Sequence, residues 1–218
     1  MPALLSTLPT ETAASRLADK CIAIGISTGG PAALARLFSA LRPPMPPILV
    51  VQHMLPAFTG ALAERLNGLS QLTVQHAVEG TTLQPNVVLL AAGGKHMRVR
   101  RSGTLLRTHI QDGPAVSSHK PSIDILMTSV AEAFGDRCLG VIMTGMGRDG
   151  VAGCAAIRKA GGLVLGQDEH SSDVYGMNKI AFVDGHVHRQ FSLEHAADAL
   201  MHEVRTRWLG GMLSRASG

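Results

Sequence analysis

The chain has 218 residues, 45% hydrophobic and 17% charged, with a formal net charge of +4. That length supports one core of ordinary size, and that balance excludes a disordered chain. Aromatics are only 3%, which argues against a base-stacking nucleic-acid platform and for a core of Val, Ile, Leu, Ala and Met, as in a parallel sheet under helices.

Residues 1–19 mix Pro, Thr, Ser and Ala without a strong period. They read as a tail or linker stub with one short helical turn. Cys21–Ile26 is a continuous apolar run, expected as a buried strand. Ser27–Pro31 is a turn, and Pro31 suits the first position of a helix over Ala32–Leu41. The prolines from Pro43 to Pro47 end that helix. Ile48–Val51 is the next strand. Pro56–Asn67 is helical, with Asn67-Gly68 as its stop. Leu72–Ala77 and Val87–Ala91 are further strands.

Met97–Arg101 and Thr104–Ile110 flank Ser102-Gly103 and predict an antiparallel hairpin, polar and basic on one face. Ser122–Phe134 has helical periodicity, with Ser122 as N-cap. A strand over Leu139–Met143, a helix over Asp149–Ala160 and a strand over Leu163–Gly166 follow. Val174–Ala181 reads as a short helix. Ser192–Leu209 reads as the last long one, with Ser192 as N-cap and Glu194 in its first turn. Alternating buried strands and helices predict a doubly wound, mostly parallel α/β sheet flanked by helices, with the hairpin added. The core domain spans 20–210, and 211–218 is a C-terminal tail.

Three turns carry chemistry. Gly25-Ile26-Ser27-Thr28-Gly29 has the spacing of a nucleophile elbow, in which a tight strand-to-helix turn exposes a hydroxyl. The helix after it offers unpaired N–H groups to a developing oxyanion. The plainer reading is a glycine-rich turn whose Ser27 caps a helix. Two phosphate cradles fail here: a Walker loop lacks its Lys, and a dinucleotide fingerprint lacks its second Gly.

His53 ends the next strand, and an imidazole suits proton transfer near neutral pH. Asp149 lies in Thr144-Gly145-Met146-Gly147-Arg148-Asp149-Gly150. It is placed either to orient His53 or to cap the helix that starts there. The backbone N–H of Met146 is a candidate oxyanion donor. In open α/β sheets such residues collect beyond the carboxyl ends of the strands, so Ser27, His53 and Asp149 are expected on one rim.

Asp112, Asp124 and Asp173 are weaker alternatives to Asp149, and Asp168-Glu169 reads as a solvated pair. His186-Val187-His188 has two imidazoles at strand spacing but no further ligands, so a surface strand is the better reading than a metal site. The three cysteines show no metal spacing and predict buried thiols in a reducing compartment. Met1–Lys20 lacks the pattern of a signal peptide, and a cytoplasmic protein is expected. Lys95, Arg98, Arg100, Arg101 and Arg107, with Arg205, Arg207 and Arg215, read as solvated basic surface or as a docking face for an acidic partner.

Taken together, Ile24–Pro31, Gln52-His53-Met54 through Phe58-Thr59 to Ala63–Asn67, Pro121–Leu126, Met143–Gly150, and Gln167-Asp168-Glu169 with Tyr175-Gly176-Met177 resemble the catalytic domain of the chemotaxis receptor methylesterases, the CheB family. The resemblance implies catalytic Ser27, His53 and Asp149. It also implies oxyanion or substrate contacts at Thr28, Gly29 and Met146, and neither metal nor organic cofactor. It implies hydrolysis of glutamyl methyl esters on methyl-accepting chemotaxis receptors, with deamidation of receptor glutamines in many members.

Members usually carry an N-terminal receiver domain. Only about 19 residues precede the first strand here, so control by a domain of the same chain is not expected, and a separate regulatory protein is one alternative. A monomer without nucleic-acid binding or membrane insertion is the simplest expectation. Asn178 stands where the family has Pro, read as a minor loop change. An esterase or amidase acting on another substrate, and an anion-binding module without catalysis, are the competing readings.

Overall fold

A computed structural model describes residues 12–210. The parts of the two expected tails at 1–11 and 211–218 lie outside them. Seven strands form one wholly parallel sheet in the order β3-β4-β2-β1-β7-β8-β9. They are β1 (Cys21–Ile26), β2 (Ile48–Gln52), β3 (Thr73–His76), β4 (Val87–Leu90), β7 (Cys138–Ile142), β8 (Leu163–Gln167) and β9 (Arg189–Phe191). A separate antiparallel pair is β5 (His96–Ser102) with β6 (Leu105–Gln111). The helices are α1 (Ala13–Leu17), α2 (Gly30–Ala40), α3 (Pro56–Leu69), α4 (Ile123–Phe134), α5 (Val151–Lys159), α6 (Met177–Val183) and α7 (Ala196–Glu203).

β1 is central because it is apolar on both faces: every one of its residues is buried. The chain winds outward from β1 through β2 to β4 and β3, then returns to add β7, β8 and β9 on the other side. Ile22, Ile24 and Ile26 face a core closed by α1, α2, α3 and α7. Cys21 and Ala23 face a second core closed by α4, α5, α6 and the hairpin. The direction of winding reverses between β1 and β7, and a crevice opens there beyond the carboxyl ends of the strands. Among the described residues, no helix is long and apolar enough to cross a membrane.

Several local expectations change. Leu17, in the stretch read as a tail, is fully buried against the core. Helix α3 runs through Gly68 to Leu69, because Asn67 is not a stop: its Oδ1 accepts from Val74 N–H at 2.9 Å. The hairpin turns at Gly103-Thr104, one residue later than expected, with Ser102 paired to Leu105 and Gly103 at φ +61°. It is no loose appendage, since Met97 and Val99 are buried and Ser129 Oγ on α4 accepts from Val99 N–H at 3.0 Å.

Asn178 lies in the first turn of α6, fully buried, and donates to Gln167 O and Ser172 Oγ. It therefore anchors the 168–176 segment, which a proline could not do. The final helix begins as a tight turn over Leu193–His195, and Ser192 caps it through its carbonyl, not its hydroxyl. His188 Nδ1 accepts from Val164 N–H, which spends it on the edge of the sheet. All three cysteines are free and buried, and burial pushes their thiols up, so they stay protonated.

Gly25 sets how closely α4 approaches the middle of the sheet. A Cβ there would fall 2.2 Å from Ile123 Cγ2. Gly25→Ala is therefore expected to overpack the core by about 1–3 kcal/mol and lower Tm by roughly 3–10 °C, as scanning calorimetry would show. An unchanged Tm would mean that α4 gives way freely.

Candidate active site

The strand register brings three turns to one rim. Ile26 pairs with Gln52 and Gly25 with Ile142, so Ser27, His53 and the 143–149 segment leave three adjacent strands at the same level. Backbone bonds continue past the strand ends: His53 N–H donates to Ile26 O at 3.1 Å and Ser27 N–H to Thr144 O at 2.9 Å. Gly145 lets the two turns touch, since a Cβ there would lie 2.6 Å from Ser27 Cβ.

Ser27 does not cap a helix. The residue before α2 is Gly29, in the left-handed region at φ +81°, with no side-chain cap. Among the described residues, the Ser27 hydroxyl makes no hydrogen bond. The N–H groups of Thr28, Gly29 and Met146 likewise have no protein acceptor among them. Thr28 is held through its carbonyl, which accepts from Thr144 Oγ1 at 2.9 Å. Gly29 is tight against Asp173, whose Oδ2 would lie 2.2 Å from a Cβ. Met146 is 73% exposed at the lip of the site.

His53 and Asp149 are joined directly, Nε2 to Oδ2 at 2.8 Å. Asp149 does not cap its own helix. Its carboxylate, 0% exposed, accepts instead at the start of α4: from Ile123 N–H at 2.7 Å, Asp124 N–H at 3.1 Å and Ser122 Oγ at 2.8 Å. The favour is returned, because Asp124 Oδ1 accepts from Gly150 N–H at 2.9 Å and Gly153 N–H at 2.7 Å at the start of α5. Each helix is capped by a carboxylate belonging to the other. Gly153 permits the close packing this requires, since a Cβ there would meet Met127 Cβ at 2.6 Å.

These contacts fix the charges. Burial works to raise the Asp149 carboxyl, but hydrogen bonds from His53, Ile123, Asp124 and Ser122 outweigh it and hold the group below the usual carboxylate range. Asp124 moves the other way, pushed up by burial and by the Asp149 charge against the lowering effect of Gly153 and Gly150. With Nε2–H donated to an ionised carboxylate, His53 carries its lone pair on Nδ1, which is buried and has no partner among the described residues.

Three contributors were missed in the sequence. Ser122 was read only as an N-cap, which it is, accepting from Ile125 N–H at 3.4 Å, but its own proton goes to Asp149. His119 stacks on His53 with ring centroids 3.8 Å apart and planes 10° from parallel. His96, buried behind them, accepts from Ser122 N–H on Nδ1 and donates from Nε2 to Pro114 O. Ser122 lies in Pro121–Leu126, a segment already singled out, whereas His119 has no periodic neighbours to mark it.

His53, His119 and Asp149 bring ligand-type atoms within 4.8 Å of one another. Stacked rings keep their in-plane lone pairs in two nearly parallel planes 3.8 Å apart at the centroids, which do not meet at one ion, and Asp149 Oδ2 already accepts from His53 and Ile123. The cluster is therefore poorly shaped for a metal. Asp112 is exposed and pairs with Lys120, so it takes no part.

The family model described as CheB methylesterase matches residues 22–200. A protein-glutamate methylesterase/protein-glutamine glutaminase of Shewanella oneidensis is 45% identical over 192 residues, covering 88% of this chain and 54% of that protein. One of Albidiferax ferrireducens is 45% identical over 202 residues, covering 93% and 59%. The chain thus spans a little over half the length of these curated relatives. The crystal structure of the Thermotoga maritima CheB methylesterase catalytic domain superposes with a TM-score of 0.82 at 32% identity, covering 84% of this chain and 97% of that one.

The paired caps give a pH-linked expectation. Ionised Asp149 favours the fold, an effect fully present above its unfolded value of about 4 and lost as pH falls through its lower folded value. Asp124, being raised, favours the fold at acid pH, and its contribution is lost as pH rises through its folded value. Asp124→Asn keeps the accepting Oδ1 and removes a charge. Its Tm at pH 7 is expected at or above that of the native chain, whereas Asp124→Ala loses both caps and about 2–6 °C. Equal loss in both variants would contradict the raised Asp124.

Proposed function

The chain belongs to the CheB methylesterase family, and from that premise we propose that this site hydrolyses glutamyl methyl esters on chemotaxis receptors. The observation that carries the reading is the His53–Asp149 pair, which leaves a lone pair on Nδ1 at the strand end next to Ser27, whose hydroxyl makes no hydrogen bond among the described residues.

Ser27 is the nucleophile. It follows β1 directly, and His53 follows the neighbouring strand β2 at the paired level, Ile26 opposite Gln52. As Oγ attacks the ester carbonyl carbon, its proton passes to Nδ1. Asp149, held ionised, stabilises the imidazolium that forms. The carbonyl oxygen gains negative charge and is received by the unpartnered N–H groups of Met146 and of the Thr28–Gly29 turn, the latter at the positive end of α2.

The carbon–oxygen bond of the ester then breaks, and methanol leaves with the proton returned by His53. Water, deprotonated by His53, attacks the acyl-enzyme and releases the glutamate carboxylate and Ser27. A glutamine side chain follows the same course with ammonia as leaving group, which accounts for a second, deamidating activity at one site. Free buried thiols accord with action in a reducing cytoplasm.

Methanol release from methylated receptor, measured on purified protein, tests the reading. Ser27→Ala is expected to abolish it while leaving Tm within about 2 °C, since the hydroxyl of this half-buried residue has no hydrogen-bond partner among the described residues. Asp149→Asn is expected to lower kcat by about 10⁴ through the wrong imidazole tautomer. Undiminished turnover in Ser27→Ala would end the assignment of the nucleophile.

A further inference from the structure

On β2, residues 48 and 50 face the core beneath α2, and both are apolar, Ile48 and Val50. Strand periodicity puts residue 52 on the same face, where a third aliphatic side chain would fit. The residue there is Gln52, only 2% exposed.

Its amide does one specific thing. Nε2 donates to Ser27 O at 2.9 Å and to His53 O at 2.9 Å. These are the carbonyls of the two residues that leave β1 and β2 at the site. The last backbone bond between β1 and β2 runs from His53 N–H to Ile26 O at 3.1 Å, and beyond it the chains enter different turns. The carboxamide adds a tie one residue further on, bridging Ser27 O and His53 O.

The other end of the amide is unsatisfied. Oε1 is buried without a partner among the described residues. A flip would not help, because it would set Oε1 against two carbonyl oxygens. The cost of an orphaned buried carbonyl is comparable to the gain from two hydrogen bonds, so Gln52 gives the fold little net stability. The chain also makes room for it. Gly30, whose φ any residue could adopt, would carry a Cβ 1.7 Å from Gln52 Oε1. An apolar residue at 52 with alanine at 30 would build a simpler core.

We propose that Gln52 is a positioning residue, a clamp that holds the Ser27 and His53 backbones at the separation proton transfer needs, with Gly30 as the space that admits it. The proposal rests on Ser27 and His53 acting as nucleophile and base. Gln52 touches neither substrate nor the reacting atoms. It acts through the two residues whose carbonyls it binds, so its loss slows the chemical step without weakening substrate binding.

Labelling of Ser27 by a fluorophosphonate separates those effects, because the limiting rate reports the attack of Oγ and the half-saturating concentration reports binding. In Gln52→Met, which keeps the volume and removes both donors, the limiting rate is expected to fall 10- to 100-fold. Half-saturation should stay within two-fold and Tm within about 2 °C. Gly30→Ala, which displaces the amide from the other side, is expected to reproduce the fall in limiting rate and serves if Gln52→Met does not fold. A limiting rate within two-fold of native in either folded variant overturns the clamp, as does a change confined to half-saturation. Failure of the native chain to label, with Ser27→Ala as control, would instead strike the serine mechanism itself.

Discussion

A carboxylate with no solvent exposure must find hydrogen-bond donors from protein on every side, because an unpaired buried charge costs far more than the fold can spare. Asp149 meets this demand by reaching out of its own turn to the start of α4, where two backbone N–H groups and the Ser122 hydroxyl converge on it. The fourth donor is His53. The structural requirement and the chemical one are therefore the same requirement: the group that aligns the base is also the cap of a core helix. The return contact, Asp124 on the start of α5, fixes the spacing of α4 and α5. Neither helix can shift without moving the imidazole.

That arrangement explains why glycines crowd the site. Close approach of α4 to β1 requires Gly25, and the left-handed backbone at Gly150, φ +97°, delivers Asp149 and then starts a helix immediately. A side chain at 150 would also strike Ile142 and Ile123. The elbow spacing around Ser27 is read from sequence as a device for exposing a hydroxyl. In three dimensions its glycines serve the neighbours as much as the serine: Gly25 yields to Ile123, Gly29 to Asp173 and Gly30 to Gln52.

The parallel sheet was legible because its five inner strands, β4, β2, β1, β7 and β8, are largely apolar runs. The rim was legible because Ser27 and His53 follow such runs directly and Asp149 lies in the glycine-rich turn after a third. What stayed hidden are contacts that join residues of ordinary local character across long separations. Asp149 reads as the cap of its own helix until the fold shows it capping another, whose Ser122 lies 27 residues away. Strand β9 has three residues, only Phe191 of them buried, too few for a period to show. His119 sits in a connection with no repeating pattern, and only the fold lays it on His53. Asn178 was read by comparison with a proline, which hides what an amide can hold.

The hairpin closes the circuit around the site. β5 begins at His96, which accepts from the backbone of Ser122, the residue that feeds Asp149. Three residues after His96 along β5, Val99 N–H binds α4 by donating to Ser129 Oγ. The segment leaving β6 carries Pro114, which holds His96, and then His119, which covers His53. One two-stranded unit thus grips α4 at its middle and braces its first turn. It also supplies the ring that shields the base. Its basic outer face, with Arg98 opposite His109 and Arg100 opposite Arg107, faces away from that work. A change in the hairpin's inner face should therefore register first as a change in how firmly Asp149 and His53 are held, because α4 takes contacts from the hairpin at Ser129 and gives them to Asp149 at Ile123.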